Sequence, residues 1–237
     1  MENISEIISH FNFTQTRKSK QYLASFFNQK SFNKNQTLYT QQKLKMFLEN
    51  FQLINDYKSS ENIVSSIQKF LGEVNTDNYN LLTKIMYREF FNQTNNNITL
   101  FIEFFYRFGV VLKNFQKSNL CKDYSDEIEK NIQFIDSLSV NEYHHKVLDF
   151  KQRNTIEAEV KKGNFISFWN FFYMFDVYSS IAKGIKQNNL KFPHFNSDAS
   201  FTMEHFYHLD LKNAIKNTIE VKEKNIIIFT GANMSGI

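Results

Sequence analysis

Residues 165–182, FISFWNFFYMFDVYSSIA, form a long apolar run in this 237-residue chain. The run is interrupted by Asn170 and Asp176, and an internal acid is costly inside a bilayer. Its rings at positions 165, 168, 169, 172 and 175 recur at helical spacing. That spacing is typical of core packing, whereas base stacking would require an exposed face. We therefore expect a buried helix at 165–182 and not a membrane span.

The same periodicity predicts further helices on the N-terminal side of this run. Glu103 and Arg107 form an i,i+4 pair inside one of them, which is also too short to cross a bilayer. Thr16 and Asp77 are candidate helix caps. We expect polar loops at 72–76 and 92–97. The predicted helices are Thr16–Asn28, Thr40–Ile54, Asp77–Phe91, Ile98–Leu112, Tyr124–Leu138 and Glu142–Val160.

Composition supports a mainly α fold. Only 6 Gly and 1 Pro occur, which is too few for an all-β chain with many tight turns. The net charge of +4 and pI near 8.9 are compatible with a phosphate-bearing partner. The single cysteine, Cys121, excludes an intrachain disulfide and fits a reducing cytoplasm. The N-terminus lacks the pattern of a secretory signal.

The character of the chain changes after Pro193. Residues 194–200 are polar and turn-prone, and short β-favouring runs follow at Phe201–Tyr207, Thr218–Val221 and Ile226–Phe229. We place a domain boundary near residue 195. Residues 1–195 are expected to form a helical unit, and residues 196–237 the opening strands of an α/β unit.

The last predicted strand leads into a glycine-bounded loop. Residues 231–236 match the first six positions of the P-loop pattern G-x-x-x-x-G-K-[ST]. In such loops backbone N–H groups at a helix start bind phosphate, and the lysine neutralises its charge. Position 237, where lysine is required, holds isoleucine, the last of the 237 residues. The predicted nucleotide-binding residues are Gly231, Ala232, Asn233, Met234, Ser235 and Gly236.

The residues between these glycines resemble those of one ATPase family. Thr230-Gly-Ala-Asn-Met-Ser-Gly236 is similar to the Walker A segment of the MutS family of DNA mismatch-repair ATPases. The usual form of that segment is Thr-Gly-(Pro/Ala)-Asn-Met-(small)-Gly-Lys-Ser-Thr. Asp176, Ser180 and Pro193 resemble the end of the family's core domain, where a Leu-Asp-x-x-x-Ser-x-Ala helix precedes a proline.

Two shorter segments add to the resemblance. His208 stands where the family has the histidine of a His-Pro pair, although Leu209 replaces the proline. Ala214-Ile-Lys-Asn217 resembles a segment that ends in Asn before the loop strand. The resemblance implies that Ile215 would contact the adenine base.

The resemblance implies a fold and a function together. It implies a helical MutS core or lever domain followed by the first β-strands of an incomplete P-loop α/β ATPase domain. ATP and Mg²⁺ would be bound by intact relatives, with DNA and a second copy of the chain as partners in the cytoplasm.

The sequence also departs from the family. On the basis of the resemblance, we expect these 237 residues to lack the mismatch-reading domain, the Walker A lysine, the acidic Walker B strand and the signature helix. We expect that this chain, truncated inside Walker A, has no catalytic residue of its own and does not hydrolyse ATP.

Other residue clusters are assigned to structure. His144 and His145 are adjacent on a predicted helix and point about 100° apart, so we expect a surface pair and not a metal site. Phe101-Ile-Glu103 has the letters of the Phe-x-Glu triplet that the family inserts at a mismatch, but it lies inside an apolar helical run.

A second hypothesis from another class stays open. The chain would then be an all-helical interaction or scaffold module whose glycine turn binds no nucleotide.

Overall fold

The structure, a computed structural model, describes residues 4–29, 33–75, 88–117, 122–197, 200–211 and 213–222. Within these ranges the chain forms helices first and a two-stranded sheet last. The helices are α1 (Ile4–Ser9), α2 (Arg17–Phe27), α3 (Lys34–Glu49), α4 (Phe51–Asp56), α5 (Glu61–Asn75), α6 (Arg88–Gln116), α7 (Lys122–Ser137), α8 (Val140–Tyr143), α9 (Phe150–Lys162) and α10 (Phe165–Gln187). The strands are β1 (Ser200–Phe206) and β2 (Asn217–Lys222).

The central element is α10, the 23-residue helix that contains the apolar run. It packs against α2, α3, α4 and α7, so most of its surface is covered. The rings predicted to be core are buried, which confirms that part of the sequence interpretation. None of the helices in the described ranges is long and apolar enough to cross a membrane.

Aromatic side chains of α3, α6 and α10 fill the space between these helices. Phe47 lies with its ring centroid 4.8 Å from that of Phe115 and 4.9 Å from that of Phe175. On the other side of the core, Phe105 and Phe168 are 4.7 Å apart. Tilted and edge-to-face pairs at such distances add about 0.5–1.5 kcal/mol each to the stabilisation from burial. The abundance of phenylalanine therefore has a structural role.

Local sequence explains where several helices begin. Thr16 caps α2, because its side chain accepts a hydrogen bond from the Ser19 N–H, as the sequence predicted. Asn33 and Gln36 form a reciprocal capping box at α3, and Asp149 and Gln152 form another at α9. Each box satisfies backbone donors that would otherwise lack partners at the helix start.

Two predicted helices are wrong in extent. Thr40–Ile54 is the second part of α3 followed by α4, because the chain breaks at Asn50, whose side chain donates to the Met46 carbonyl. The predicted helix Glu142–Val160 is also broken: α8 ends at Tyr143, and α9 starts only after the Asp149 cap.

Both predicted loops are wrong where the structure describes them. Residues 92–97 lie inside α6, and residues 72–75 form the last turn of α5. The sequence interpretation also missed α1 and the whole of α5. Most of the predicted helix Asp77–Phe91, including its cap, lies outside the described residues.

Strands were predicted at 201–207 and 218–221, and β1 and β2 lie within one residue of those ranges. Their antiparallel pairing was not predicted. The register pairs Phe201 with Val221 and Met203 with Ile219, and an irregularity follows before Phe206. Most side chains on this sheet are exposed. The predicted third strand, Ile226–Phe229, lies outside the described residues.

Candidate functional site

The predicted phosphate loop, Gly231–Gly236, lies outside the described residues, and so does Ile237. The described part of the chain contains the other residues that carry the family resemblance. They fall into three groups: the Asp176–Ser180 turn of α10, the connection at Pro193, and the segment from His208 to Asn217.

The Asp176–Ser180 turn fastens the N-terminal segment to the central helix. Ser180 is fully buried; its Oγ donates to the Phe11 carbonyl at 2.5 Å and accepts from the Phe13 N–H at 2.6 Å. One turn earlier, Asp176 Oδ2 accepts from the Gln15 N–H at 2.8 Å. These bonds fix the backbone that leads into α2. The two residues that resemble the family's Asp and Ser therefore have a shared structural role.

Burial raises the pKa of the Asp176 carboxyl above its ordinary value, while hydrogen bonds from Ser19 and Gln15 and the charge of Lys183 act in the opposite direction. Its Oδ1 has no hydrogen-bond partner within the described ranges. Burial lowers the pKa of Lys183, and the neighbouring charge of Lys58 lowers it further. Shifted pKa values of this kind occur in functional sites and in structural networks alike.

The connection after α10 runs along the surface of α3 and antiparallel to it. Lys45 lies over the Phe192 ring at 5.5 Å, and Gln41 Nε2 donates to the Pro193 carbonyl at 3.1 Å. At the far end Lys34 lies 5.6 Å from the Phe195 ring centroid. Positions 34, 41 and 45 share one face of a helix. We call residues 192–195 the strap, because they hold the path from α10 to β1 against α3.

Two further contacts fix the segment that resembles the His-Pro region. His10 Nε2 and Asp210 Oδ1 are 2.6 Å apart, and His208 Nδ1 lies 3.7 Å from the other oxygen of the same carboxylate. Tyr207 donates its hydroxyl to the Asn188 carbonyl at 2.5 Å. The segment is therefore joined to the end of α1 and to the end of α10.

Ile215, which the resemblance assigns to the adenine base, lies in the connection between the two strands. Its side chain is 74% exposed, which is unusual for a large apolar residue. Asn217 opens β2, and its amide donates to the Ile215 carbonyl at 3.4 Å. The residue is placed where a ligand could contact it.

The predicted surface pair of histidines is wrong for one member. The side chain of His144 is only 10% exposed; its Nε2 lies 2.8 Å from a Glu103 oxygen, and its ring stacks on Tyr106 with centroids 3.5 Å apart. In the Phe-x-Glu triplet, Phe101 and Ile102 are buried in the core, whereas the Glu103 side chain is 46% exposed. Across the described ranges no three His, Cys, Asp or Glu side chains are grouped as metal ligands.

The structure contains a groove that the sequence analysis did not predict. A groove of about 450 Å³ lies between α3, α7 and α10. It is lined by Lys43, whose ammonium lies 4.4 Å from the Tyr39 ring, 4.7 Å from Tyr124 and 5.5 Å from Tyr178. The i,i+4 spacing of Tyr39 and Lys43 is visible in the sequence, but the other two rings come from distant helices.

No protein-family model matches the chain, and no curated protein or solved structure matches it either.

Proposed function

We propose that residues 1–195 are the helical core or lever unit of a MutS-like protein and that residues 196–237 enter its P-loop ATPase domain. The observation that carries the proposal is the pair Asn233-Met234 between Gly231 and Gly236, directly after an apolar run. Two glycines five residues apart are weak evidence for a P-loop on their own. The residues between them make the match to one family specific.

The described structure is compatible with this proposal in its order of elements. A helical body precedes a short β segment, and the change occurs at the strap. Asp176 and Ser180 are buried and hydrogen-bonded, as residues that define a domain's packing should be. These facts support the assignment of residues 1–195 to one helical unit. The nucleotide-binding part of the proposal rests on loop residues 231–236.

In the proposed mechanism, the contacts that join the β segment to the helices carry movement from the phosphate loop to the helical unit. Phosphate would be bound by backbone N–H groups of residues 231–236. A shift of that loop would reach the helices through the Tyr207–Asn188 and His10–Asp210 contacts and through the strap on α3. The 23 residues of α10 are about 35 Å long, which suits a lever. DNA and a second copy of the chain are the partners that the resemblance implies.

The test is nucleotide binding by a chain extended beyond residue 237. Ile237→Lys would be followed by the Ser-Thr, acidic strand and signature helix of a MutS-family ATPase domain. We expect Mg-ATP to bind at least about tenfold more tightly than to the same extended chain with Ile237 retained, because the lysine supplies a charged hydrogen bond to phosphate.

A second control makes a negative result informative. In it the donor ATPase's own loop replaces residues 231–236 of the extended chain. If this version binds Mg-ATP and the version with Gly231–Gly236 does not, the proposal is contradicted.

A further inference from the structure

The groove between α3, α7 and α10 has a floor and a rim of different chemistry. The floor consists of aromatic rings, with Phe168, Phe171 and Tyr178 almost fully buried. The rim consists of the polar residues Lys130, Asn131, Asn164, Ser167 and Asn170. Its volume lies within the range of about 300–1,000 Å³ that is typical of small-molecule sites. The groove can therefore hold a small ligand with a flat apolar body and polar edges.

Lys43 supplies a buried positive charge at this groove. Its side chain is 8% exposed, and its only hydrogen bond among the described residues goes to Glu127 Oε1 at 3.4 Å. An ammonium group has three donors, and the other two face aromatic rings and have no hydrogen-bond acceptor among the described residues. Glu127 is half exposed and can turn to solvent when an anion arrives. The charged residues that line the groove are thus two lysines, Lys43 and Lys130, and one carboxylate, Glu127.

The amides on the rim are already oriented by the protein. Asn164 Oδ1 accepts from the Ile166 N–H at 3.2 Å, and Asn170 Oδ1 accepts from the Tyr22 hydroxyl at 2.6 Å. Neither NH₂ group donates a hydrogen bond within the described ranges, so both are available to a ligand. Asn131 donates its amide to the Glu127 carbonyl at 2.8 Å, which leaves its oxygen as an acceptor. Donors and an acceptor thus stand together above an aromatic floor.

We propose that this groove binds a nucleoside monophosphate or a closely related heteroaromatic anion. The ring would stack on the aromatic floor, its edge would bond to the rim amides, and the anionic group would lie at Lys43. None of the residues concerned belongs to the predicted phosphate loop. The site is therefore independent of the proposed ATPase function, and either can fail without the other.

The experiment is a titration of the ¹⁵N-labelled chain, residues 1–237, followed by NMR on the side-chain amides of Asn164 and Asn170. Three probes separate the contributions: AMP, adenosine without the charge, and inorganic phosphate without the ring. We expect AMP to bind about tenfold or more tightly than either, since a charged hydrogen bond and ring stacking both contribute. Inorganic phosphate binding as tightly as AMP would overturn the proposal.

Variants locate the binding on the protein. Lys43→Met removes the charge but keeps an unbranched side chain that packs well against aromatic rings. We expect it to weaken AMP binding about tenfold or more, while Lys45→Met, at an exposed position that does not line the groove, leaves binding unchanged.

A second pair does not alter buried groups. Ser167→Trp fills the groove from its exposed rim, and Ile166→Trp places the same ring at a 72% exposed position that does not line the groove. Only Ser167→Trp should abolish AMP binding. The proposal is overturned if AMP up to about 5 mM shifts neither rim amide, or if Lys43→Met and Ser167→Trp bind AMP as the unmodified chain does.

Discussion

Replacing Ser180 by alanine should destabilise the helical unit far more than replacing its neighbour Ser179. Both side chains are buried in α10. Ser180 bonds to the Phe11 carbonyl and the Phe13 N–H. Within the described ranges, the Ser179 hydroxyl donates only to the Phe175 carbonyl of its own helix, at 2.8 Å. A carbonyl in a helix interior keeps its backbone partner when such a hydroxyl is removed. The pair therefore separates a long-range tie from a local one.

The magnitude follows from the bonds that are lost. Each hydrogen bond of Ser180 contributes a net of about 1 kcal/mol, so Ser180→Ala should cost about 2 kcal/mol. The Phe13 N–H also lies 3.1 Å from the Phe11 carbonyl, which keeps the cost from rising further. Alanine favours a helix over serine by about 0.5 kcal/mol in both variants, and this term cancels in the comparison.

The assay is urea unfolding followed by circular dichroism at fixed pH. The slope m of the unfolding free energy against urea concentration should be about 3 kcal/mol/M. The Ser180→Ala midpoint should then lie about 0.7 M below that of Ser179→Ala. Equal m-values would show that the two variants unfold between the same states. If the two midpoints agree within about 0.2 M, the assigned role of Ser180 is wrong.

Three further predictions concern α10 and α5. Gly184→Ala should destabilise the protein by about 1–3 kcal/mol, because a Cβ there would lie 2.7 Å from the His10 carbonyl oxygen. Gly72→Ala should stabilise α5 by about 0.5–1 kcal/mol, because a Cβ there would meet no described atom within 4 Å. Thermal melts measure both variants, and melting temperatures that shift in the same direction would contradict the packing. Because burial raises the pKa of Asp176 in the folded state, the native state binds more protons than the unfolded state just above the unfolded pKa of about 3.9. Stability contributed by this group therefore falls as pH rises through that window, and Asp176→Asn should flatten the fall in urea midpoints between acid and neutral pH; an unchanged slope would refute it.

Periodicity and caps were sufficient to predict several elements. The stripe in α10 was recognised because its rings recur at helical spacing, and Thr16 because a hydroxyl residue precedes an apolar helix. The breaks at Asn50 and Tyr143 were missed. Apolar spacing continues across Asn50, and the decisive event there is a side chain that competes for a carbonyl. The Asn33-x-x-Gln36 box was present in the sequence and marks the true start of α3.

The contacts that define the sites are long-range. The Ser180–Phe11 bond joins residues 169 positions apart, and Lys43 meets Tyr178 from another helix. A sequence pattern gives the chemical type of such residues but not their partners. The polar run at 92–97 was predicted as a loop from composition alone, and in the structure it continues a 29-residue helix.

Photolabelling with 8-azido-ATP tests the central claim most directly. The extended chain carrying Ile237→Lys would be irradiated with the nucleotide, digested and mapped by mass spectrometry. The account predicts labelling of the connection around Ile215, competed by unlabelled ATP and absent when Ile237 is retained. Labelling confined to other segments, or labelling that excess ATP does not reduce, would contradict a nucleotide site at Gly231–Gly236.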